Sequence, residues 1–280
     1  MNRLINRELF ENECFDIILL IGQSNAEGFG LGEVKNAYEP NPRILQLTNT
    51  SPVFVEVTPK EEIILHMEEP SSYVIDEARE TIHAQRGILG CFALPFAENY
   101  YEKYVKDTDR KVLIIRAAVG SSGFLRGNWC LCEPLYKRAV EMTDLALSLN
   151  KKNRLAAILW HQGESDAIVG KRNGGYGFLY PYYTEKFGAL INDLRERYGK
   201  VPFVAGAMCR DWTPGIEEAS RAVEEATKKI IKDDGVAAFA ESEGLTSNNA
   251  SVGNGDSIHF SRPSQYEFAN RYFSLYEDLR

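Results

Sequence analysis

Short runs of aliphatic and β-branched residues recur along the chain, with longer amphipathic stretches between them. Apolar runs of this length are typical of strands buried on both faces of a parallel sheet. We predict strands at 16–21, 112–117, 156–160, 202–207 and 236–240. Their alternation with helices indicates an α/β protein, a three-layer α/β/α sandwich around a five-stranded parallel sheet.

The stretches between these runs have apolar residues at the three- and four-residue spacing of a helix. We predict helices at about 92–106, 134–149, 180–198, 216–233 and 264–279. Ser261 is a suitable N-cap for the last of them, with Pro263 in its first turn. His259 is therefore expected just before a helix begins.

The segment 31–90 departs from this alternation. It contains five prolines and only short strand-like pieces, at 43–47 and 53–57. We predict one domain over 1–280 with an irregular insertion here. The insertion is either a lid or wall of the substrate site or a covering hairpin.

Composition narrows the class of protein. The chain has 280 residues, of which 44% are hydrophobic, enough apolar material for a large core. A net charge of −8 disfavours a nucleic-acid partner. The charged segment 1–14 is unlike a signal peptide, and no apolar run reaches about 18 residues, so we expect a cytoplasmic protein with no membrane partner.

The cysteine pattern argues against a metal site. The five cysteines are scattered, and only Cys130 and Cys132 lie close together. A zinc site needs further Cys or His ligands at suitable spacing, and this pair has none. We expect reduced thiols and no metal.

Polar residues with hydrolytic potential follow the predicted strands. Parallel strands bring their carboxyl ends to one edge of the sheet, where the loops share a cleft. Ser24 follows the first strand on a turn opened by Gly22, the position of a hydrolase nucleophile, although Ala26 replaces the second glycine of the Gly-x-Ser-x-Gly elbow. Asp256 and His259 lie three residues apart before the last helix.

These residue types suit ester hydrolysis by a serine. A serine hydroxyl becomes a strong nucleophile only when a neutral histidine takes its proton, and His259 is the histidine with an acid nearby. Asp256 would orient the imidazole and stabilise its cationic form. The pattern predicts Ser24 as nucleophile, His259 as base and Asp256 as acid.

Four ordered blocks resemble those of the SGNH hydrolases, and within them the carbohydrate esterases that include sialate O-acetylesterases and acetylxylan esterases. The blocks are 22–25, the loop at Gly120, 160–166 and 256–261. The resemblance spans roughly 15–275 and implies a flavodoxin-like SGNH fold. It also implies an enzyme without a cofactor that removes acetyl from a carbohydrate hydroxyl, as in acetylated sialic acid or xylo-oligosaccharide.

The resemblance further implies an oxyanion hole. Its donors would be the backbone amides of Ser24 and Gly120 and the side-chain amide of Gln162. Many SGNH enzymes use an asparagine where this chain has Ser165, so Gln162 follows the carbohydrate-esterase pattern alone. Further candidates for substrate contact are Gln23, Asn25, Arg126 and Trp129, with structural packing an equal interpretation for the last two. His161 and Glu164 are interpreted as structural.

Two alternatives stay open at this stage. One is a broader SGNH esterase acting on lipid or aryl esters. The other is a carbohydrate-binding protein that kept the scaffold without turnover. The sequence also leaves open which sugar is bound, which hydroxyl carries the ester and which oligomer forms.

Overall fold

The computed structural model describes residues 3–60 and 62–280. The strands are β1 (Phe15–Gly22), β2 (Ile44–Asn49), β3 (Phe54–Val57), β4 (Ile63–His66), β5 (Tyr73–Glu77), β6 (Thr81–His83), β7 (Gly87–Leu89), β8 (Lys111–Arg116), β9 (Arg154–His161), β10 (Phe203–Gly206) and β11 (Ala237–Ala240). The α-helices are α1 (Ser24–Glu27), α2 (Ala93–Tyr100), α3 (Pro134–Ser148), α4 (Glu164–Arg172), α5 (Gly175–Tyr198), α6 (Glu217–Asp234), α7 (Asn248–Val252) and α8 (Arg262–Leu279). A π-helical turn over Tyr101–Val105 extends α2.

The central sheet has the strand order β11-β10-β9-β1-β8-β2-β5. Each neighbouring pair is parallel except β2 and β5, which are antiparallel. The predicted α/β class is confirmed, but the predicted count of five strands is wrong because the sheet has seven. Both additional strands, β2 and β5, come from the segment 31–90, which also forms the hairpins β3–β4 and β6–β7.

Strand β1 is buried along its whole length, which explains its unbroken apolar run. Successive side chains of a strand point to opposite faces. Leu19 belongs to the core between the sheet and helices α3, α5 and α6, whereas Leu20 belongs to the core between the sheet and helices α2 and α8. The sheet therefore lies between two helical layers, as predicted.

The amino edge of the sheet is fixed by a buried carboxylate. Asp16 in β1 is fully buried and accepts hydrogen bonds from Arg110 Nε at 2.7 Å, Arg154 Nε at 2.7 Å and Tyr100 Oη at 2.8 Å. Burial opposes the ionisation of Asp16, but these partners outweigh it and lower the pKa of the carboxyl. This charge cluster lies at the opposite end of β1 from Ser24.

Among the described helices, none is both long and apolar enough to cross a membrane. The segment 1–14 was compared with a signal peptide in the sequence analysis. Its residues 1 and 2 lie outside the described residues.

Candidate active site

A close approach of β1 to β9 forms the turn that presents Ser24. Gly22 has a φ of +128°, and a Cβ atom at this position would lie 2.1 Å from the carbonyl oxygen of His161. Only glycine fits a backbone this close with a positive φ. The chain then turns at Gln23, and Ser24 becomes the first residue of α1. Its N–H therefore has no partner within the helix.

Ser24, His259 and Asp256 form a hydrogen-bonded chain. His259 Nε2 lies 2.9 Å from Ser24 Oγ, and His259 Nδ1 lies 2.8 Å from Asp256 Oδ2. Ser24 is only 6% exposed, and the ring of His259 stacks on Phe29 with centroids 5.0 Å apart. The imidazole of His259 is thus held against the hydroxyl of Ser24, and the carboxylate of Asp256 is held against the imidazole.

Asp256 is held in its ionised form. Burial opposes ionisation, but the hydrogen bonds from His259 and Asn248 outweigh it and lower the pKa of the carboxyl to about 2. Asn248 Nδ2 donates to Asp256 Oδ2 at 3.0 Å. The carboxylate is therefore charged at neutral pH and can stabilise a protonated His259.

Asn25 joins the serine turn to the loop that carries the acid and base. Its Oδ1 accepts from the amide of Phe260 at 3.0 Å, and its Nδ2 donates to Glu164 Oε1 at 2.7 Å. Asn25 is completely buried, which argues against the predicted substrate contact. Its hydrogen bonds set the separation of Ser24 and His259 instead.

Gln23 has a similar scaffolding position. It is 2% exposed, and its Oε1 accepts from the amides of Gly163 at 3.3 Å and Ser165 at 3.2 Å, at the start of α4. Trp129 is also buried, and its Nε1 donates to Ser122 Oγ at 2.7 Å. Burial and internal hydrogen bonds therefore argue against substrate contact for both.

Arg126 differs because it is only half-buried. Its positive charge acts on the buried carboxylate of Asp166. Substrate binding by Arg126 stays a prediction.

The amide of Gly120 lies beside Ser24 but already has a partner. A Cβ atom built on Gly120 would be 3.5 Å from Ser24 Cβ, and the Gly120 N–H donates to Glu27 Oε2 at 2.6 Å. Burial raises the pKa of Glu27, against the opposing effects of this hydrogen bond and of the positive charges of Arg116 and Arg138. The amide that is predicted to bind the oxyanion therefore already donates to the carboxyl group of Glu27.

The amide of Gln162 is also bonded within the protein. Gln162 Nε2 donates to Asp166 Oδ2 at 2.8 Å and lies 3.2 Å from Gln23 Oε1, while Gln162 Oε1 accepts from Tyr183 Oη at 2.9 Å. Asp166 is fully buried and also accepts from the amide of Leu125 at 2.7 Å. Gln162 could donate to an oxyanion only if one of these contacts opened.

His161 and Glu164 lie in the interior, where structural residues are expected. Both are fully buried, and His161 Nε2 lies 3.0 Å from the carbonyl oxygen of Ala207. The described residues contain no cluster of three or more His, Cys, Asp or Glu side chains able to hold a metal ion.

The sequence reasoning missed Glu27 and Asn248. Glu27 follows Ser24 by three residues, so a helix starting at the serine brings both to one face, and that spacing was an available signal. Asn248 lies in α7, outside every predicted element, and nothing in the chain pattern marks its contact with Asp256.

A parallel α/β sheet with serine, histidine and aspartate in hydrogen-bond contact at its carboxyl edge is the architecture of a serine-type hydrolase. The chain belongs to the family described as carbohydrate esterase, sialic acid-specific acetylesterase, whose model matches residues 14–278. This match confirms the predicted family and the predicted enzyme class, a carboxylic ester hydrolase.

Solved structures share the fold. The crystal structure of NanS matches with a TM-score of 0.70 and 19% identity, covering 95% of this chain and 97% of that one. A protein from Arabidopsis thaliana matches with a TM-score of 0.62 and 17% identity, covering 94% and 98%. A carbohydrate acetylesterase from Xanthomonas citri matches with a TM-score of 0.56 and 15% identity, covering 94% and 56%. No curated protein matches the chain.

Proposed function

We propose that the protein is a serine esterase that removes small acyl groups, above all acetyl, from the hydroxyls of a carbohydrate such as an acetylated sialic acid. The observation that carries this proposal is the chain of contacts from Ser24 Oγ through His259 to Asp256, at 2.9 and 2.8 Å. The family description supports the acetylated sugar as the substrate class.

In the first half of the reaction, Ser24 Oγ attacks the ester carbonyl carbon while His259 Nε2 takes the hydroxyl proton. Asp256 stays ionised and stabilises the imidazolium. The tetrahedral intermediate then expels the sugar oxygen, which receives the proton from His259. The acetyl group is left as an ester on Ser24.

In the second half, water replaces the sugar. His259 removes a proton from the water as it attacks the acyl carbon, and Ser24 recovers its proton when the new intermediate collapses. Acetate and the free enzyme result.

We assign the developing oxyanion to the backbone amides of Ser24 and Gly120. The amide of Gly120 becomes available only when the carboxylate of Glu27 leaves it or is protonated, because a second anion at that donor is repelled. We give Gln162 a positioning part in this proposal, since its amide nitrogen already donates to Asp166 at 2.8 Å.

Acetate release from an O-acetylated sialic acid tests the proposal. Ser24→Ala should lower turnover by about 10³-fold or more, because the remaining groups cannot replace the nucleophile. Ser148→Ala, at the exposed end of α3, is the matched control and should keep wild-type turnover. A folded wild type that releases no acetate above background from acetylated sialic acids, xylo-oligosaccharides or simple acetylated sugars would rule the esterase out.

A further inference from the structure

The imidazole of His259 lies against an aromatic ring as well as between Ser24 and Asp256. It stacks on the ring of Phe29, with centroids 5.0 Å apart and an angle of 22° between the two planes. Phe29 is half-buried and belongs to neither of the two hydrophobic cores that the described residues form. Core packing therefore does not account for the position of this ring.

The two hydrogen bonds of the imidazole do not fix its plane. His259 Nδ1 is hydrogen-bonded to Asp256, and Nε2 is hydrogen-bonded to Ser24. A hydrogen bond is still favourable at an angle of about 150°, so the ring can tilt about the line through its two nitrogens. A tilted ring directs Nε2 away from the serine hydroxyl. A contact on the face of the ring opposes this tilt, and Phe29 supplies such a contact.

The backbone around Phe29 is tied to the acid that orients the imidazole. Asn248 Nδ2 donates to the carbonyl oxygen of Phe29 at 2.9 Å and to Asp256 Oδ2 at 3.0 Å. A side-chain amide has two N–H groups, so it can make both bonds at once. Asn248 Oδ1 accepts from the amide of Leu31 at 2.7 Å. The side chain of Asn248 therefore sets the position of Phe29 relative to Asp256 through bonds that use only the backbone of Phe29.

The segment 31–90 also restrains Phe29. Gly30, the next residue, exchanges two backbone hydrogen bonds with Gly90, at 3.1 and 2.7 Å. Arg86, an exposed residue of the turn between β6 and β7, places its Cζ atom 5.8 Å from the centroid of the Phe29 ring. An exposed contact of this kind is weak, so the backbone bridge is the stronger restraint.

A phenyl ring is compatible with both charge states of the base. In the proposed reaction His259 takes up a proton and releases it again in each half. The face of an aromatic ring attracts a cation, so the stacking is kept when the imidazole becomes an imidazolium. Phenylalanine has no polar side-chain atom, so it does not compete with Ser24 or Asp256 for a nitrogen of His259.

We propose that Phe29 is a positioning residue for the general base. Its ring holds the plane of the His259 imidazole while His259 passes a proton between Ser24, the leaving sugar oxygen and water. This role requires a flat ring and not merely an apolar side chain. The inference rests on the proposed function, because it assigns Phe29 to the base of the same reaction.

Kinetics of acetate release from O-acetylated N-acetylneuraminic acid test this role. Phe29→Leu keeps an apolar side chain but removes the flat ring. It should lower kcat by about tenfold or more and leave KM within about twofold of wild type, because a misdirected base slows the proton transfers without changing substrate binding. Phe29→Tyr keeps the ring and should retain wild-type kcat. Wild-type kcat in Phe29→Leu would overturn the proposal, and so would a rise in KM alone, which would mean that the ring binds substrate.

Phe178→Leu is the matched control. Phe178 is an exposed residue of α5 whose ring stacks on Tyr182, with centroids 5.6 Å apart and an angle of 20° between the planes. Loss of this ring should change neither kcat nor KM. Phe29→Met fills the same space with a flexible apolar side chain and replaces Phe29→Leu if the latter does not fold. It should show the same loss of kcat, and wild-type kcat in Phe29→Met would equally overturn the proposal.

The reaction of Ser24 with diisopropyl fluorophosphate separates this inference from the proposed function. Ser24 Oγ forms a bond to phosphorus, fluoride leaves and the hydroxyl proton passes to His259, so the reaction needs the base but no acetylated sugar. Its second-order rate constant should be about tenfold or more lower for Phe29→Leu than for wild type. Equal rate constants would overturn the inference even if wild type releases acetate. If wild type reacts but releases no acetate, the proposed function fails and the ratio of rate constants still decides the inference. A wild type whose Ser24 does not react would overturn both.

Discussion

The carboxylate of Glu27 competes with the proposed oxyanion for one hydrogen-bond donor, the amide of Gly120. The amide of Gly120 donates to Glu27 Oε2 at 2.6 Å, at the place where an oxyanion formed on Ser24 would need it. An ionised Glu27 therefore opposes the transition state that we propose, whereas a protonated Glu27 does not. Because burial raises the pKa of Glu27, its neutral form is reached at a higher pH than for an exposed glutamate.

Glu27→Gln should raise kcat/KM for a neutral acetyl ester, by roughly tenfold at alkaline pH, because it removes the charge beside the oxyanion. The ratio of variant to wild type should fall towards one as the pH drops through the raised pKa of Glu27 and the wild-type carboxylate becomes neutral. A pH series of kcat/KM with 4-nitrophenyl acetate measures this ratio.

Glu218→Gln, an exposed glutamate of α6, serves as the control and should match wild type at every pH. A loss of turnover in Glu27→Gln at alkaline pH would mean that the carboxylate of Glu27 supports the reaction.

At the scale of elements, the packing of β1 against β9 decides where Ser24 stands. The backbones approach so closely at Gly22 that a side chain there would overlap the carbonyl oxygen of His161. The same turn directs Ser24 to His259, so the fold and the site depend on one glycine.

Gly22→Ala should lower the free energy of unfolding by about 3 kcal/mol or more, through both the clash and the positive φ. Gly177→Ala in α5 is the matched control, because a Cβ there meets no atom within 4 Å. It should be neutral or stabilise by about 0.5–1 kcal/mol. Urea denaturation followed by circular dichroism compares the two, and wild-type stability of Gly22→Ala would show that β1 and β9 can separate without cost.

The elements that the sequence predicted well are those with a local signal. The strand predicted at 112–117 is β8, Lys111–Arg116, and the helix predicted at 134–149 is α3, Pro134–Ser148. Hydrophobic period and length suffice for such segments. The strand-like piece at 43–47 is part of β2, but nothing local shows that β2 pairs with β8 in the central sheet, because strand pairing depends on distant residues.

The features of the candidate site also divide into those that a short local motif indicates and those that depend on distant residues. Ser24, Asp256 and His259 could be proposed because each stands in a short recognisable block. Burial could not be inferred from those blocks, so Asn25 and Trp129 looked available to a substrate although both are enclosed. A cavity lined by Arg79, Arg116 and Arg138 also could not be predicted from the sequence, because it joins residues from the insertion, β8 and α3.

At the scale of the whole molecule, the carboxyl and amino edges of the sheet carry different groups of polar residues. The carboxyl edge carries the candidate site, and the amino edge carries the buried carboxylate of Asp16 with Arg110, Arg154 and Tyr100. Removing one partner of a buried charge cluster leaves the other charges uncompensated.

Asp16→Asn should lower the free energy of unfolding by about 3 kcal/mol and leave kcat of the folded enzyme unchanged. Its hydrogen-bond partners hold the native pKa of Asp16 below that of an exposed aspartate, so its stabilising effect is present above about pH 4 and is lost as the pH falls further. Denaturation curves at several pH values should show wild type and variant converging in acid.

Asp233→Asn, which breaks an exposed pair with Lys229 in α6, is the comparison and should change stability little. A difference between wild type and Asp16→Asn that stays constant down to pH 2 would contradict the role given to the charge of Asp16.

The hydrogen bond between Ser24 and His259 joins residues 235 positions apart. Asn25 spans the same interval through the amide of Phe260, and Gln265 of α8 donates to the carbonyl oxygen of Asn25 at 3.1 Å. A nascent chain would therefore contain the proposed nucleophile soon after synthesis begins, but the residues that contact and position it, 256–265, are synthesised more than 200 residues later. Hydrolytic activity should therefore appear only after α8 and the loop before it have folded against the serine turn.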